Sequence, residues 1–123
     1  MKILITGSMG FISRNLIEKT LLDDERVNKI YGIDHIDSFI NSNKYHHYKY
    51  DLSENILDSL PNELFDVDYI VHTAGIPSPK FYKIEPFKTM FLNYDVTRLL
   101  LERMRNDTHF IYFSSSEIYG NPD

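Results

Sequence analysis

Near the amino terminus, Thr6-Gly7-Ser8-Met9-Gly10-Phe11-Ile12-Ser13 places two glycines and three hydroxyl side chains between two apolar runs. Glycines let a backbone turn sharply and approach a ligand closely. If a helix starts at such a turn, its unpaired N–H groups and partial positive charge can bind an anion such as a diphosphate. The spacing is Gly-x-x-Gly-x-x-Ser, where the usual dinucleotide fingerprint reads Gly-x-Gly-x-x-Gly, so the pattern alone is a weak signal, and an ordinary strand-to-helix turn is its lesser alternative. Ser13 stands where the third glycine would, and is expected to hold the helix slightly off the strand or to tuck its hydroxyl onto backbone. Asp34, 24 residues after Gly10, is the second chemical signal. A carboxylate at that distance accepts hydrogen bonds from the adenosine ribose hydroxyls and repels a 2′-phosphate. His35, Ile36 and Asp37 follow it, with no arginine among them. Turn and carboxylate together predict NAD rather than NADP, held by Gly7, Ser8, Met9, Gly10, Phe11, Ile12 and Asp34. A solvated loop aspartate is the other reading of residue 34.

Those residues need a strand and a helix to position them. Lys2 to Thr6 is an apolar, β-rich run stopped by Gly7, and Phe11, Ile12, Leu16, Ile17 and Leu21 recur at helical spacing over about 10–22. Further strands are predicted at Lys29–Ile33, Lys44–Tyr50, Tyr69–His72 and Phe110–Phe113. A short helix is expected from Ser53 to Leu60, broken by Pro61-Asn62, and a long one from about Phe87 to Arg105. Strands alternating with helices specify an α/β fold with a parallel sheet, because right-handed crossovers put a helix between successive parallel strands. The expectation is a Rossmann-like doubly wound sheet of order 3-2-1-4-5, with residues 1–123 as one dinucleotide-binding domain.

The motifs also carry a family resemblance. Thr6 to Ile12, Tyr50-Asp51-Leu52, His72-Thr73-Ala74-Gly75, Asn93 and Phe113-Ser114-Ser115-Ser116-Glu117-Ile118-Tyr119-Gly120 occur in the order seen in the extended short-chain dehydrogenase/reductase superfamily. That group includes nucleotide-sugar epimerases, dehydratases and decarboxylases. Ile76-Pro77-Ser78-Pro79-Lys80-Phe81-Tyr82, Pro86, Thr89 and Asn93 are similar to the UDP-glucuronate decarboxylases within it. The resemblance implies oxidation at sugar C4 by NAD, then decarboxylation or dehydration. It places Asp51 and Leu52 at the adenine, and Thr73, Ala74, Gly75 and Asn93 along the cofactor. Ser115 takes the position of the catalytic Ser or Thr at the sugar 4-hydroxyl, with Ser116 and Glu117 assisting the following step.

The superfamily's base is a Tyr-x-x-x-Lys pair on a later helix. Tyr45-His46-His47-Tyr48-Lys49 has that spelling, but it falls in a predicted strand, where residues four apart lie about 13 Å from each other. The chain is therefore expected to be a truncated amino-terminal part, lacking the base helix and the substrate region and incapable of full turnover. A homodimer is allowed. An exposed sheet edge is expected after the last strand. With no cysteine there is neither a disulfide nor a thiolate metal site, and the histidines lack metal-site spacing. A formal charge of -5 without a basic cluster disfavours nucleic acid and membrane surfaces, and no run is long enough to span a bilayer. A cytoplasmic location is the simplest expectation. Two other readings stay open: a non-catalytic NAD-binding or redox-sensing module, and a flavodoxin-like or receiver domain, which would need different loop chemistry.

Overall fold

The computed structural model describes residues 1–54, 57–75, 83–114 and 119–120. Five parallel strands, β1 (Lys2–Thr6), β2 (Lys29–Asp34), β3 (Tyr45–Lys49), β4 (Tyr69–His72) and β5 (His109–Tyr112), form one sheet in the order β3-β2-β1-β4-β5, as the alternation of elements predicts. Central β1 pairs Ile3 with Ile30 on one side and with Tyr69 on the other. Its side chains alternate between faces, so Leu4 joins one core while Ile3 and Ile5 join the other. A strand buried on both faces reads as a continuous apolar run, which is how residues 2–6 read.

On the Leu4 face, helix α2 (Pro86–Met90) passes through a π turn (Phe91–Asp95) into α3 (Val96–Arg103), which buries Val96 and Leu100 against Ile70 and Val67. The apolar spacing locates this long helical stretch, but its middle turn is wider than an α-helix. On the other face α1 (Phe11–Lys19) buries Ile17 and Ser13, then tightens into a 3₁₀ turn over Leu21–Asp23. Of the helix expected over 53–60, residues 55 and 56 lie outside the described set, and Leu57–Ser59 is one 3₁₀ turn. The break expected at Pro61 is present, with Leu60 and Pro61 outside helical structure. It precedes a second 3₁₀ turn, Asn62–Phe65, that buries Leu64 and Phe65.

At the end of the sheet opposite the glycine turn, Asp68 accepts the Lys2 N–H at 2.8 Å and returns its own N–H to the Lys2 carbonyl at 2.9 Å. The Arg105 guanidinium spans Asp66, Asp68 and Asp107 at 2.6, 3.2 and 3.0 Å. These contacts tie the starts of β1, β4 and β5 together and leave the carboxyl ends of the strands for chemistry. In open α/β sheets, that is the end where ligands bind. Outermost β5 carries exposed Ile111 and Tyr112, followed by exposed Phe113.

Candidate functional site: the carboxyl ends of the strands

The chain leaves β1 through Gly7 at φ +67°, in the left-handed region. A Cβ at Gly7 would also lie 2.8 Å from Thr73 Oγ1 and 2.9 Å from the Ala74 nitrogen, so glycine is required twice over. The turn's first amides are used internally. Gly7 and Ser8 both donate to the Ile33 carbonyl, at 2.8 and 3.2 Å, and Gly10 donates to the Gly7 carbonyl at 3.0 Å. Met9 donates to Asp34 Oδ2 at 2.9 Å. The first helical bond is Arg14 to the Gly10 carbonyl, at 2.9 Å. Among the described residues no acceptor meets the N–H groups of Phe11, Ile12 and Ser13, and Gly10 at the helix start provides no side-chain cap. The amides left without a partner are therefore those three, not those of the glycines, and of the three Phe11 and Ile12 belong to exposed residues while Ser13 is buried. Phe11 and Ile12 flank that mouth and are 80% and 56% exposed.

Ser13 departs from the expectation. It is buried, and its hydroxyl lies 2.7 Å from Thr73 Oγ1. Thr73 gives its own proton to the Thr6 carbonyl at 2.7 Å, so Ser13 is the donor. The hydroxyl bonds a side chain and does not turn onto backbone. It stitches α1 to the end of β4.

Asp34, buried at the end of β2, turns onto the glycine turn. Its carboxylate bridges Met9 N–H and Ile36 N–H, the latter at 3.3 Å, and His35 Nδ1 lies 3.1 Å from Oδ1. Asp51 sits farther along the same rim. Its Oδ1 accepts from the Ser53 hydroxyl at 2.5 Å and the Ser53 amide at 2.9 Å, and these bonds hold the carboxyl below its usual range. It lines an open cleft of about 460 Å³ with Ser53, Glu54, Phe87, Lys88 and Phe91. Leu52 is buried in the core beside Leu4 and Ile70, so its side chain is committed to packing.

Beyond β4, Thr73 and Ala74 donate their N–H groups to Thr6 Oγ1, each at 3.2 Å. Gly75 carries no Cβ where one would lie 3.2 Å from Asn93 Oδ1, so the Asn93 amide rests against its backbone. Asn93 lies in the π turn, a distortion that often marks functional positions. Beneath both is His72, 1% exposed, whose Nδ1 is 2.6 Å from Thr6 Oγ1. That oxygen already accepts two N–H groups, so its proton goes to Nδ1 and the imidazole is neutral with hydrogen on Nε2. Nε2 is buried and, among the described residues, reaches no partner in hydrogen-bonding geometry. Burial pushes His72 down to about 4.

Ser115, Ser116 and Glu117 lie outside the described residues, as does the 76–82 segment. Tyr45 and Lys49 stand at opposite ends of β3, with Lys49 Nζ 3.1 Å from Asp37, so the Tyr-x-x-x-Lys spelling is a strand. Sequence reading missed the side-chain links His72–Thr6 and Ser8–Tyr45–His47. The first joins β1 to β4 and the second ties the glycine turn to β3, and no local pattern signals them.

A doubly wound parallel sheet with free helix amides at its switch point, and an acidic residue ending β2, defines a dinucleotide-binding type of domain. The sequence profile of the NAD dependent epimerase/dehydratase family matches residues 3–123, and the chain belongs to that family. Among curated relatives, UDP-glucuronic acid decarboxylase 5 of Arabidopsis thaliana is 32% identical over 130 residues, covering 99% of this chain and 36% of the relative. UDP-glucuronic acid decarboxylase 1 of Danio rerio is 31% identical over 127 residues, covering 99% and 29%. The chain thus spans about a third of the length of such relatives. Among solved structures, a UDP-N-acetylglucosamine 4-epimerase from Methanobrevibacter ruminantium M1, in complex with UDP-N-acetylmuramic acid, superposes with a TM-score of 0.79. It is 28% identical and covers 99% of this chain and 40% of that one. WbmF of Bordetella bronchiseptica, in complex with NAD+, has the same fold at a TM-score of 0.74 and 20% identity, covering 94% and 36%.

Proposed function

We propose that the chain is the NAD-binding amino-terminal part of a nucleotide-sugar-modifying enzyme that oxidises sugar C4 and then decarboxylates or dehydrates the intermediate. The observation that carries this reading is the set of three unpartnered amides at Phe11, Ile12 and Ser13, with the Asp34 carboxylate beside them. The residues fit the cofactor. The helix mouth suits a diphosphate, Asp34 suits ribose hydroxyls, and the cleft with Asp51, Phe87 and Phe91 suits an adenine with an exocyclic amine. When bound, the nicotinamide supplies the hydride acceptor and donor.

Gly75 and Asn93 would border the cofactor, and the small Ala74 and Gly75 leave room for it. Ser115 would hydrogen-bond the sugar 4-hydroxyl, and Ser116 and Glu117 would assist the step after oxidation. These three roles rest on the motif resemblance and on the decarboxylase relatives. No other Tyr-x-x-x-Lys occurs in the sequence, and the strand pair Tyr45/Lys49 cannot act as one, so this chain alone binds cofactor without full turnover. Calorimetric titration of the folded chain with NAD tests the reading. Saturable one-site binding is expected, weakened about tenfold or more by Asp34→Asn, which removes a charged hydrogen-bond acceptor. A folded sample that takes up no NAD overturns the reading.

A further inference from the structure

Gly32 lies in the middle of β2, where glycine weakens a strand unless something approaches closely. Here a phenol does. A Cβ at residue 32 would lie 2.1 Å from Tyr45 Oη and 2.5 Å from its Cζ. Tyr45 opens β3 opposite Ile30, and its buried ring leans along the sheet across Gly32 to reach the glycine turn. There Oη lies 2.8 Å from Ser8 Oγ and 2.8 Å from His47 Nδ1, while His47 Nε2 lies 2.8 Å from the Ile36 carbonyl.

The protons in this chain run one way. A carbonyl only accepts, so His47 carries its hydrogen on Nε2. In that tautomer Nδ1 accepts from Tyr45, and Tyr45 in turn accepts from Ser8. Burial, with the nearby Asp34 charge, pushes the Tyr45 phenol up to about 12, so it stays a donor at neutral pH. One end of the relay is the glycine turn. The other is the base of the 35–43 loop that follows Asp34. The same two segments are joined again by Phe39 N–H to Met9 Sδ at 3.4 Å, and by the Asp34 carboxylate spanning Met9 and Ile36.

We propose that Tyr45 is a positioning residue for the adenosine diphosphate half of the cofactor, fixing the glycine turn against the loop after Asp34 through Ser8 and His47. Fully buried Ser8 and nearly buried Tyr45 touch no ligand themselves. They set the relation between the amides that would hold the diphosphate and the carboxylate that would hold the ribose. This inference rests on the NAD reading above.

The test is titration of the chain with NAD and, separately, with ADP, which carries the adenosine and diphosphate alone. In Tyr45→Phe and in Ser8→Ala each affinity is expected to fall about tenfold, the size of one lost buried hydrogen bond. In the double variant it falls no further, because both changes cut the same relay. His47→Leu shows the same loss, and His47→Asn recovers most of it, since an amide again offers an acceptor and a donor. Should Tyr45→Phe fail to fold, Ser8→Ala and the His47 pair carry the test. The proposal is overturned if wild type binds NAD and the single variants bind it equally, if the losses add, if ADP is unaffected, or if Asn is no better than Leu. A folded wild type that binds neither ligand overturns the cofactor reading and this proposal with it.

Discussion

Gly7 illustrates how a single position can be constrained by conformation and by contact at once. Its positive φ and the neighbours 2.8–3.0 Å from a virtual Cβ predict that Gly7→Ala loses on the order of 2 kcal/mol in urea unfolding and abolishes NAD binding. His72 makes a different prediction, about pH. In the unfolded chain the imidazole titrates near 6.5, and folding lowers it to about 4, so the native state binds the proton less well. Its contribution is intact above about pH 6.5 and is lost as pH falls toward 4, by about 1.4 kcal/mol per unit and roughly 3 kcal/mol in all. His72→Gln keeps an acceptor for Thr6 but does not titrate, so it should flatten that part of the stability profile. An unchanged slope in the variant would assign the effect to other groups. Gly7 and Asp34 could be read from sequence because few residue types can turn there or hold a ribose. The His72–Thr6 and Tyr45–Ser8 links could not, because those partners lie 66 and 37 residues apart and only the fold brings them together.

At the scale of elements, apolar runs located four strands and the long helical stretch over the Leu4 face, and richness in tyrosine located the third strand, β3. The π turn at Phe91–Asp95 escaped this reading, since one wide turn shifts the stripe by less than a residue's breadth and leaves Leu92, Val96 and Leu100 all buried. The 3₁₀ turns around Pro61 escaped for another reason. They are too short to show a period, and burial of Leu64 and Phe65, not propensity, holds them. Leu100 is fully buried between α3 and the sheet, so Leu100→Ala should lower unfolding free energy by about 2–5 kcal/mol. It should affect NAD affinity far less than Asn93→Ala, which alters the π turn beside Gly75. Equal effects of the two on binding would mean that the π turn has no part in the site.

For the molecule as a whole, a ligand that binds the folded state stabilises it by mass action. NAD at a hundred times its dissociation constant should therefore raise unfolding free energy by about 2.7 kcal/mol, readable as a shift in the melting curve. Among the described residues no strand pairs with the outer side of β5, and with Ile111, Tyr112 and Phe113 exposed light scattering should rise with concentration, a rise that Tyr112→Lys should suppress. The crowding of Tyr45 over Gly32 also bears on how such a chain can diverge. A lineage can shed the phenol first and later admit a methyl group at residue 32, but the reverse order passes through an intermediate with two groups in one space. History at these two sites thus runs through one gate, and the order of mutations decides which descendants are reachable.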